Sequence, residues 1–326
     1  MKSLRSLSLA VSLLALTGAA AGAAEGVVTS IKPVHSLVAA VMEGVGEPEL
    51  ILQGSGSPHT YSMRPSQARM LAGANVVFWV GPGMEVFLAK PLETLAGEAR
   101  LVTLGETDGL DLLEMREGGA FEAHSHGDED DHAGEAHGHE EAAHHDHDHG
   151  HDHGPDMHLW LDPQNARLMV GPIVEALSEA DPENAATYAA NAARLGEKLD
   201  ALQEEVTAEL APVKERPFIV FHDAYQYFER RFGLAAAGSI TVSPEVIPGA
   251  QRVDEIRTKV KSLDAACVFA EPQFEPRLIS VVTEGTDARS GVLDPLGADL
   301  ADGPELYFDL IRNMATSLKD CLSARG

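Results

Sequence analysis

Histidine and acidic side chains hold most of the chemistry this sequence can do, and they are unevenly spread. Eleven of the 15 histidines fall between residues 120 and 156: His124, His126, His132, His137, His139, His144, His145, His147, His149, His151 and His153. The same stretch holds 12 Asp or Glu and no Lys or Arg. Neutral imidazoles suit Zn²⁺, Cu²⁺ and Ni²⁺, and carboxylates add attraction and spare ligands. The irregular spacing predicts many overlapping weak metal sites. With one aromatic, Phe121, and little apolar periodicity, the stretch cannot bury enough surface to offset chain entropy, so it reads as a disordered insertion. Two catalytic or structural motifs fail here. His139-Glu140-Glu141-Ala142-Ala143-His144 puts its second His one residue beyond the i,i+4 spacing of zinc proteases. The acidic run lacks the alternation and closing Glu of an EF-hand loop.

The four other histidines are His35, His59, His158 and His222. Three are placed where ligands gather, as the surrounding elements show. After residue 23, short apolar runs alternate with helical patterns: strands at 27–31, 50–52, 76–80 and 101–104, and helices at 36–42, 65–71 and 84–95, the last broken at Pro91. The rhythm returns with strands at 218–221, 239–242, 267–270 and 291–293, and helices at 224–232, 251–263, 277–283 and 305–322. A βαβα rhythm implies largely parallel sheets covered by helices. Between the halves, Tyr188, Leu195, Leu199, Leu202, Val206 and Leu210 recur near helical spacing, predicting one helix over 182–210, about 28 residues and roughly 40 Å long. The fold class is therefore α/β, two lobes with mostly parallel sheets joined by one long rigid helix. The expected divisions are 24–181, with the insertion at 120–156, then 182–212 for the link and 213–326 for the second lobe.

In open parallel sheets, ligands bind beyond the carboxyl ends of the strands. His59 follows the strand at 50–52, His222 follows 218–221, Asp294 follows 291–293, and His158 opens the segment after the insertion. If the two sheet edges face each other, three imidazoles and a carboxylate converge in the cleft. Gly81-Pro82-Gly83 lacks the third glycine of a dinucleotide turn, and its proline removes a phosphate-facing N–H.

Composition bounds the setting. Lys2 and Arg5, an apolar run at 7–16 and Ala21-Gly22-Ala23 follow the plan of a secretory signal peptide over 1–23. Its removal takes the net charge from −27 to −29, which argues against a nucleic-acid partner, since phosphate binding needs a positive footprint. No cysteine near the cleavage site offers a lipid anchor, and no later stretch is apolar for long enough to span a bilayer. Two cysteines, Cys267 in a buried strand and Cys321 in the last helix, favour a disulfide in an oxidising compartment; two buried free thiols are the alternative.

Four motifs carry a family resemblance: Ser57-Pro58-His59-Thr60-Tyr61-Ser62-Met63-Arg64-Pro65-Ser66, Asp156-Met157-His158-Leu159-Trp160-Leu161-Asp162-Pro163, Phe221-His222-Asp223-Ala224-Tyr225 and Leu293-Asp294-Pro295-Leu296-Gly297. They resemble those of the ZnuA family, the periplasmic zinc-binding proteins of ABC transporters, and the similarity extends to the insertion and the cysteine pair. The resemblance implies two four-stranded lobes with metal held between them, ligand roles for His59, His158 and His222, and Zn²⁺ as the cargo. Asp294 matches a carboxylate that related manganese binders use. Pro58 stands where some relatives place an acid, so the fourth position falls to Asp294, a water or a residue of the insertion. Manganese-type relatives carry a carboxylate where His222 stands, and three imidazoles suit Zn²⁺ better than Mn²⁺.

Asp162 and Asp223 are the candidates to orient the imidazoles, and Glu271 is a candidate partner behind them. Tyr61 and Trp160 are expected to pack and exclude water, and His35 to cap a helix or face solvent. The implied function is zinc capture in the periplasm and delivery to an ABC permease and its ATPase by a monomer, with the insertion as collector, a periplasmic chaperone as a candidate donor to it, and no enzyme activity. The rivals are a three-histidine zinc enzyme, for which no general base is evident, and a stand-alone metal buffer.

Overall fold

The computed structural model describes residues 24–116, 121, 154–241, 249–262, 265–274 and 277–323. The signal segment lies outside them, as does the insertion apart from Phe121 and residues 154–156. Strands β1 (Val27–Thr29), β2 (Glu49–Leu50), β3 (Val76–Trp79) and β4 (Arg100–Thr103) form one sheet in the order β2-β1-β3-β4. Strands β5 (Phe218–His222), β6 (Gly238–Thr241), β7 (Cys267–Ala270) and β8 (Arg289–Val292) form the other in the order β6-β5-β7-β8. Every pairing is parallel. Parallel strands are covered on both faces and so read as unbroken apolar runs; β3 is Val-Val-Phe-Trp, all buried.

Each sheet reverses its strand order between its first and third strands, and that switch point is where an open α/β sheet offers a crevice. In the second sheet the crevice lies between the ends of β5 and β7, and His222 and Glu271 stand there. In the first sheet it is closed by Glu85, fully buried, which accepts hydrogen bonds from Ser30 Oγ (2.5 Å), Val80 N (3.1 Å) and Gly81 N (2.9 Å). Burial pushes that carboxyl up to about 7 against the pull of these donors.

Helices α1 (Lys32–Val41), α2 (Pro65–Ala72), α3 (Val86–Leu95) and α4 (Pro163–Ala180) belong to the first half, and α5 (Ala185–Leu210) is the connecting rod, entered through a 3-10 turn at Pro182–Asn184. The second half adds α6 (Gln226–Phe232), α7 (Ala250–Ser262), α8 (Arg277–Thr283) and α9 (Leu306–Ser323). The rod buries the expected stripe, Tyr188, Leu195, Leu199, Leu202, Val206 and Leu210, against α1 and α4 on one side and α9 on the other. Asn191 adds two hydrogen bonds, its Nδ2 donating to Val41 O and Glu43 O at 2.8 Å each. Among the described residues no helix is long and apolar enough to cross a membrane.

Several boundaries differ from expectation for local reasons. Helix α1 starts at Lys32 because Pro33 fits a first turn, where its missing N–H costs nothing. Helix α3 runs through Pro91 instead of breaking there. Helix α4 escapes the periodicity reading altogether because Gly171 and Pro172 sit in its middle; its start is nonetheless well marked, with Pro163 in the first turn and Asp162 accepting from Gln164 N at 2.8 Å. Strand β8 lies two residues earlier than expected at its start.

The two halves share one hydrophobic core. Tyr307 of α9 ties them, its OH donating to Trp160 O (2.7 Å) and its N–H to Ser36 Oγ (3.0 Å). Lys32 Nζ of α1 donates to Leu300 O (2.7 Å) and Ala298 O (3.2 Å) across the same seam. Cys267 of β7 and Cys321 of α9 form a disulfide with Cα atoms 6.1 Å apart.

Candidate metal centre

His59 sits on the long loop after β2. That loop is held by Gln67 of α2, whose side chain donates to Ile51 O (2.6 Å) and Tyr61 OH (2.7 Å) and accepts from Arg64 N (2.7 Å). His158 directly precedes the 3-10 turn Leu159–Leu161, and His222 is the last residue of β5 rather than the first after it. Met157 packs against Gly105, where a Cβ would lie 2.6 Å from Met157 Cε and 2.7 Å from Val80 O, so only glycine lets the two segments approach.

The three imidazoles converge from opposite sides of the seam. Their ring centroids form a triangle with sides of 5.3 Å (His158–His222), 5.4 Å (His59–His158) and 5.9 Å (His59–His222). One ring nitrogen from each lies within 4.8 Å of the others, the one such group of metal-capable side chains among the described residues. They line a cavity of about 10 Å³, room for an ion and too small for an organic substrate.

Hydrogen bonds behind two rings fix what they present. His158 Nδ1 lies 2.7 Å from Asp156 Oδ1, and His222 Nδ1 lies 2.6 Å from Glu271 Oε1. An ionised carboxylate only accepts, so each Nδ1 carries the proton and each neutral ring turns an Nε2 lone pair toward the cavity. Those two Nε2 atoms are 3.4 Å apart. Two lone pairs at that distance repel unless a proton or a cation stands between them. Tetrahedral zinc with Zn–N bonds near 2.0–2.1 Å sets its nitrogens about 3.3–3.4 Å apart, so this pair already has the spacing of two ligands on one ion.

Electrostatics separate the rings. Burial first, and then the neighbouring His158 and His222, hold His59 well below its ordinary 6.5. Burial also presses down on His222, but the charge and hydrogen bond of Glu271, with Asp223 and Asp156 further off, outweigh it and leave His222 above 6.5. Of these two rings, a proton competing with a metal therefore enters at His222 before His59.

The other expected site residues go elsewhere. Asp294 is not brought into the cluster: its Oδ1 accepts from Leu296 N (3.1 Å), Gly297 N (3.0 Å) and Gln273 Nε2 (3.0 Å), and its Oδ2 from Ala298 N (2.6 Å). Asp162 caps α4 and pairs with Arg231, while Asp223 pairs with Arg116, so neither orients a ring. The residue in that role for His158 is Asp156, which sequence reasoning passes over. Its signal is the Asp-x-His spacing, which lets one carboxylate oxygen take both the N–H (3.0 Å) and the Nδ1 of the residue two along. Glu271 backs His222 as a partner behind the ring. Trp160 lines the cavity, with Nε1 on Pro295 O at 2.8 Å, whereas Tyr61 packs on Phe87. His35 is buried in α1 with Nε2 3.1 Å from Pro48 O, neither at the surface nor part of the cluster. The eleven histidines of the insertion lie outside the described residues.

Removing the support behind a ring should loosen the cluster without dismantling it. Asp156→Ala is expected to lower divalent-metal affinity about 10- to 100-fold, the usual effect of losing such a partner. Chelator competition on the purified variant checks it; unchanged affinity would mean that Asp156 does not orient His158.

A family model described as "Zinc-uptake complex component A periplasmic", ZnuA, matches residues 27–321. The chain belongs to the ZnuA family. It is 58% identical over 333 residues to the high-affinity zinc uptake system protein ZnuA of Brucella suis biovar 1 (strain 1330), covering 99% of this chain and 100% of that protein. It is 39% identical over 306 residues to the protein of that name from Yersinia pestis, covering 92% of each. A zinc-bound crystal structure of a ZnuA deletion mutant shares the fold with a TM-score of 0.70 at 24% identity, over 92% of this chain and 98% of that one. The motifs that resembled the ZnuA family are thus carried by a chain that belongs to it, and the two-lobed ZnuA fold is the one observed here.

Proposed function

We propose that this protein captures Zn²⁺ in the periplasm and delivers it to an ABC-type importer, a permease with its ATPase, as a carrier and not an enzyme. The observation that carries the reading is the pair of Nε2 atoms 3.4 Å apart, each made a lone-pair donor by a carboxylate behind its ring, with His59 as the third donor. Three neutral imidazoles favour a borderline-soft tetrahedral ion over Mn²⁺. Family membership and the zinc-uptake names of its relatives support the same cargo and compartment.

The finer reading assigns His59, His158 and His222 as zinc ligands, residues 1–23 as a signal peptide, and 24–181 and 213–326 as lobes joined by 182–212. The carrier is monomeric, and its His-rich insertion collects zinc at low affinity, received in part from a periplasmic chaperone. The described ends of the insertion favour this division of labour: Glu114 pairs with Pro155, and Asp156 N donates to Leu113 O at 2.7 Å, so the segment leaves and returns beside the carboxylate that holds His158. A collector at that place raises the ion's local concentration at the cleft. Deleting residues 120–153 should lower the zinc stoichiometry and leave one tight zinc per protein, read by titration with elemental analysis. Loss of the tight site on that deletion would contradict the proposal.

Acid should release the cargo. A ligand histidine must be deprotonated to bind, and His222 gains its proton above pH 6.5. Between pH 7.5 and 5.5 the zinc affinity should therefore fall at least about tenfold. A competition titration that stays flat over this range would rule out His222 as a ligand.

A further inference from the structure

One wall of the cavity beside the three histidines carries the acceptor side chains Glu271 and Gln273. One buried side-chain oxygen on that wall, Gln273 Oε1, has no hydrogen-bond donor among the described residues. A buried acceptor left alone is costly, and native folds rarely leave one without a purpose. The lone pairs of His158 Nε2 and His222 Nε2 point into the same space. Of the donors nearby, Trp160 Nε1 is engaged with Pro295 O (2.8 Å), and the Tyr225 hydroxyl stands against the Glu271 carboxylate as well as Leu293 O (3.4 Å).

The orientation of the Gln273 amide is dictated. Its Nε2 lies 3.0 Å from Asp294 Oδ1, and a carboxylate can only accept, so the NH₂ group must face Asp294 and the carbonyl must point the other way. Asp294 is itself held by the N–H groups of Leu296, Gly297 and Ala298. The chain of contacts runs from a loop backbone through Asp294 to Gln273 and ends on the cavity. It keeps the Asp294 carboxylate engaged and presents a neutral oxygen in its place.

An acceptor without a donor beside a metal site is complementary to a cation that carries a donor of its own, a bound water. We infer that Gln273 positions a water at the fourth coordination place of the zinc, with a water hydrogen directed at Gln273 Oε1; the inference rests on the three-histidine zinc site proposed above. A tetrahedral ion with three protein ligands keeps one exchangeable position. In a carrier, that position lets an incoming ligand replace the water first, so that the ion is handed over without three bonds breaking at once. It also withholds a charged oxygen from the ion, and so disfavours harder cations such as Mn²⁺. Gln273 acts through the water and is a positioning residue.

The test uses the full mature protein. In a high-resolution structure of the zinc-loaded wild type, one oxygen should lie about 2.0–2.1 Å from the ion and within hydrogen-bond reach of Gln273 Oε1. Gln273→Leu should lower zinc affinity about 10-fold or more, while the visible spectrum of the cobalt-substituted protein changes and one metal per protein remains. Gln273→Glu, its carboxylate repelled by Asp294, should turn onto the ion, displace the water and raise Mn²⁺ affinity. An Asp294 oxygen on the zinc of the wild type, or unchanged affinity and cobalt spectrum in Gln273→Leu, would overturn the inference. Three imidazoles on the ion in either of those results would leave the zinc site itself standing. Loss of the three imidazoles would remove the site and the inference together.

Discussion

His222→Ala should weaken zinc binding at the cleft by more than about 100-fold, beyond the loss expected when only a partner behind a ligand is removed. The substitution removes one Zn–N bond and leaves the Glu271 carboxylate, now 2.6 Å from the His222 Nδ1, without that partner in a buried position. The metal-free variant should therefore also lose stability, by about 1–3 kcal/mol. His222→Gln separates the effects: it restores a donor toward Glu271 and not an imidazole toward the ion. Its metal-free stability should recover in part while zinc affinity stays low. Chelator competition reads the first effect and denaturant unfolding of metal-free protein the second. Tight zinc retention in both variants would show that His222 is not a ligand.

The second large effect concerns the frame that holds Glu271. Cys267 opens β7, whose far end leads into Glu271, and its disulfide to Cys321 anchors that strand to α9. The bridged cysteines are 54 residues apart in sequence. In the chain-entropy treatment, closing such a loop removes unfolded-state freedom worth about 4 kcal/mol. Replacing both cysteines with serine should lower the unfolding free energy by an amount of that order, read as an earlier denaturant midpoint with a steeper slope, because the freed unfolded chain exposes more surface. Zinc affinity at low denaturant should change far less, because the three rings are held by hydrogen bonds and packing that the substitution does not touch. An unchanged midpoint would mean that the bridge does not constrain the unfolded chain.

The sequence was most informative where one physical rule acts over a whole segment. Fully covered parallel strands must be apolar throughout, so β3 and β5 stand out from the residues alone. The stripe from Tyr188 to Leu210 announces the rod because it is amphipathic over seven turns. His59, His158 and His222 could be singled out because strand ends collect ligands. Legibility fails where a residue's role depends on partners distant in the chain or on local hydrogen bonding. Asp294 has the right position after a strand, yet three backbone N–H groups of its own loop and Gln273 engage it. Asp162 and Asp223 adjoin ligand segments, but Arg231 and Arg116 take them. Asp156 reads as the last acid of a charged insertion, although it is buried and holds His158.

The proposed zinc capture depends on one ion meeting three rings. Anomalous scattering at the zinc absorption edge, on crystals of the mature protein loaded with one equivalent of zinc, tests this most directly. The predicted result is a single strong peak about 2.0–2.1 Å from a ring nitrogen of each of His59, His158 and His222. A peak at any other place in the chain, with the three rings free of metal, would contradict it.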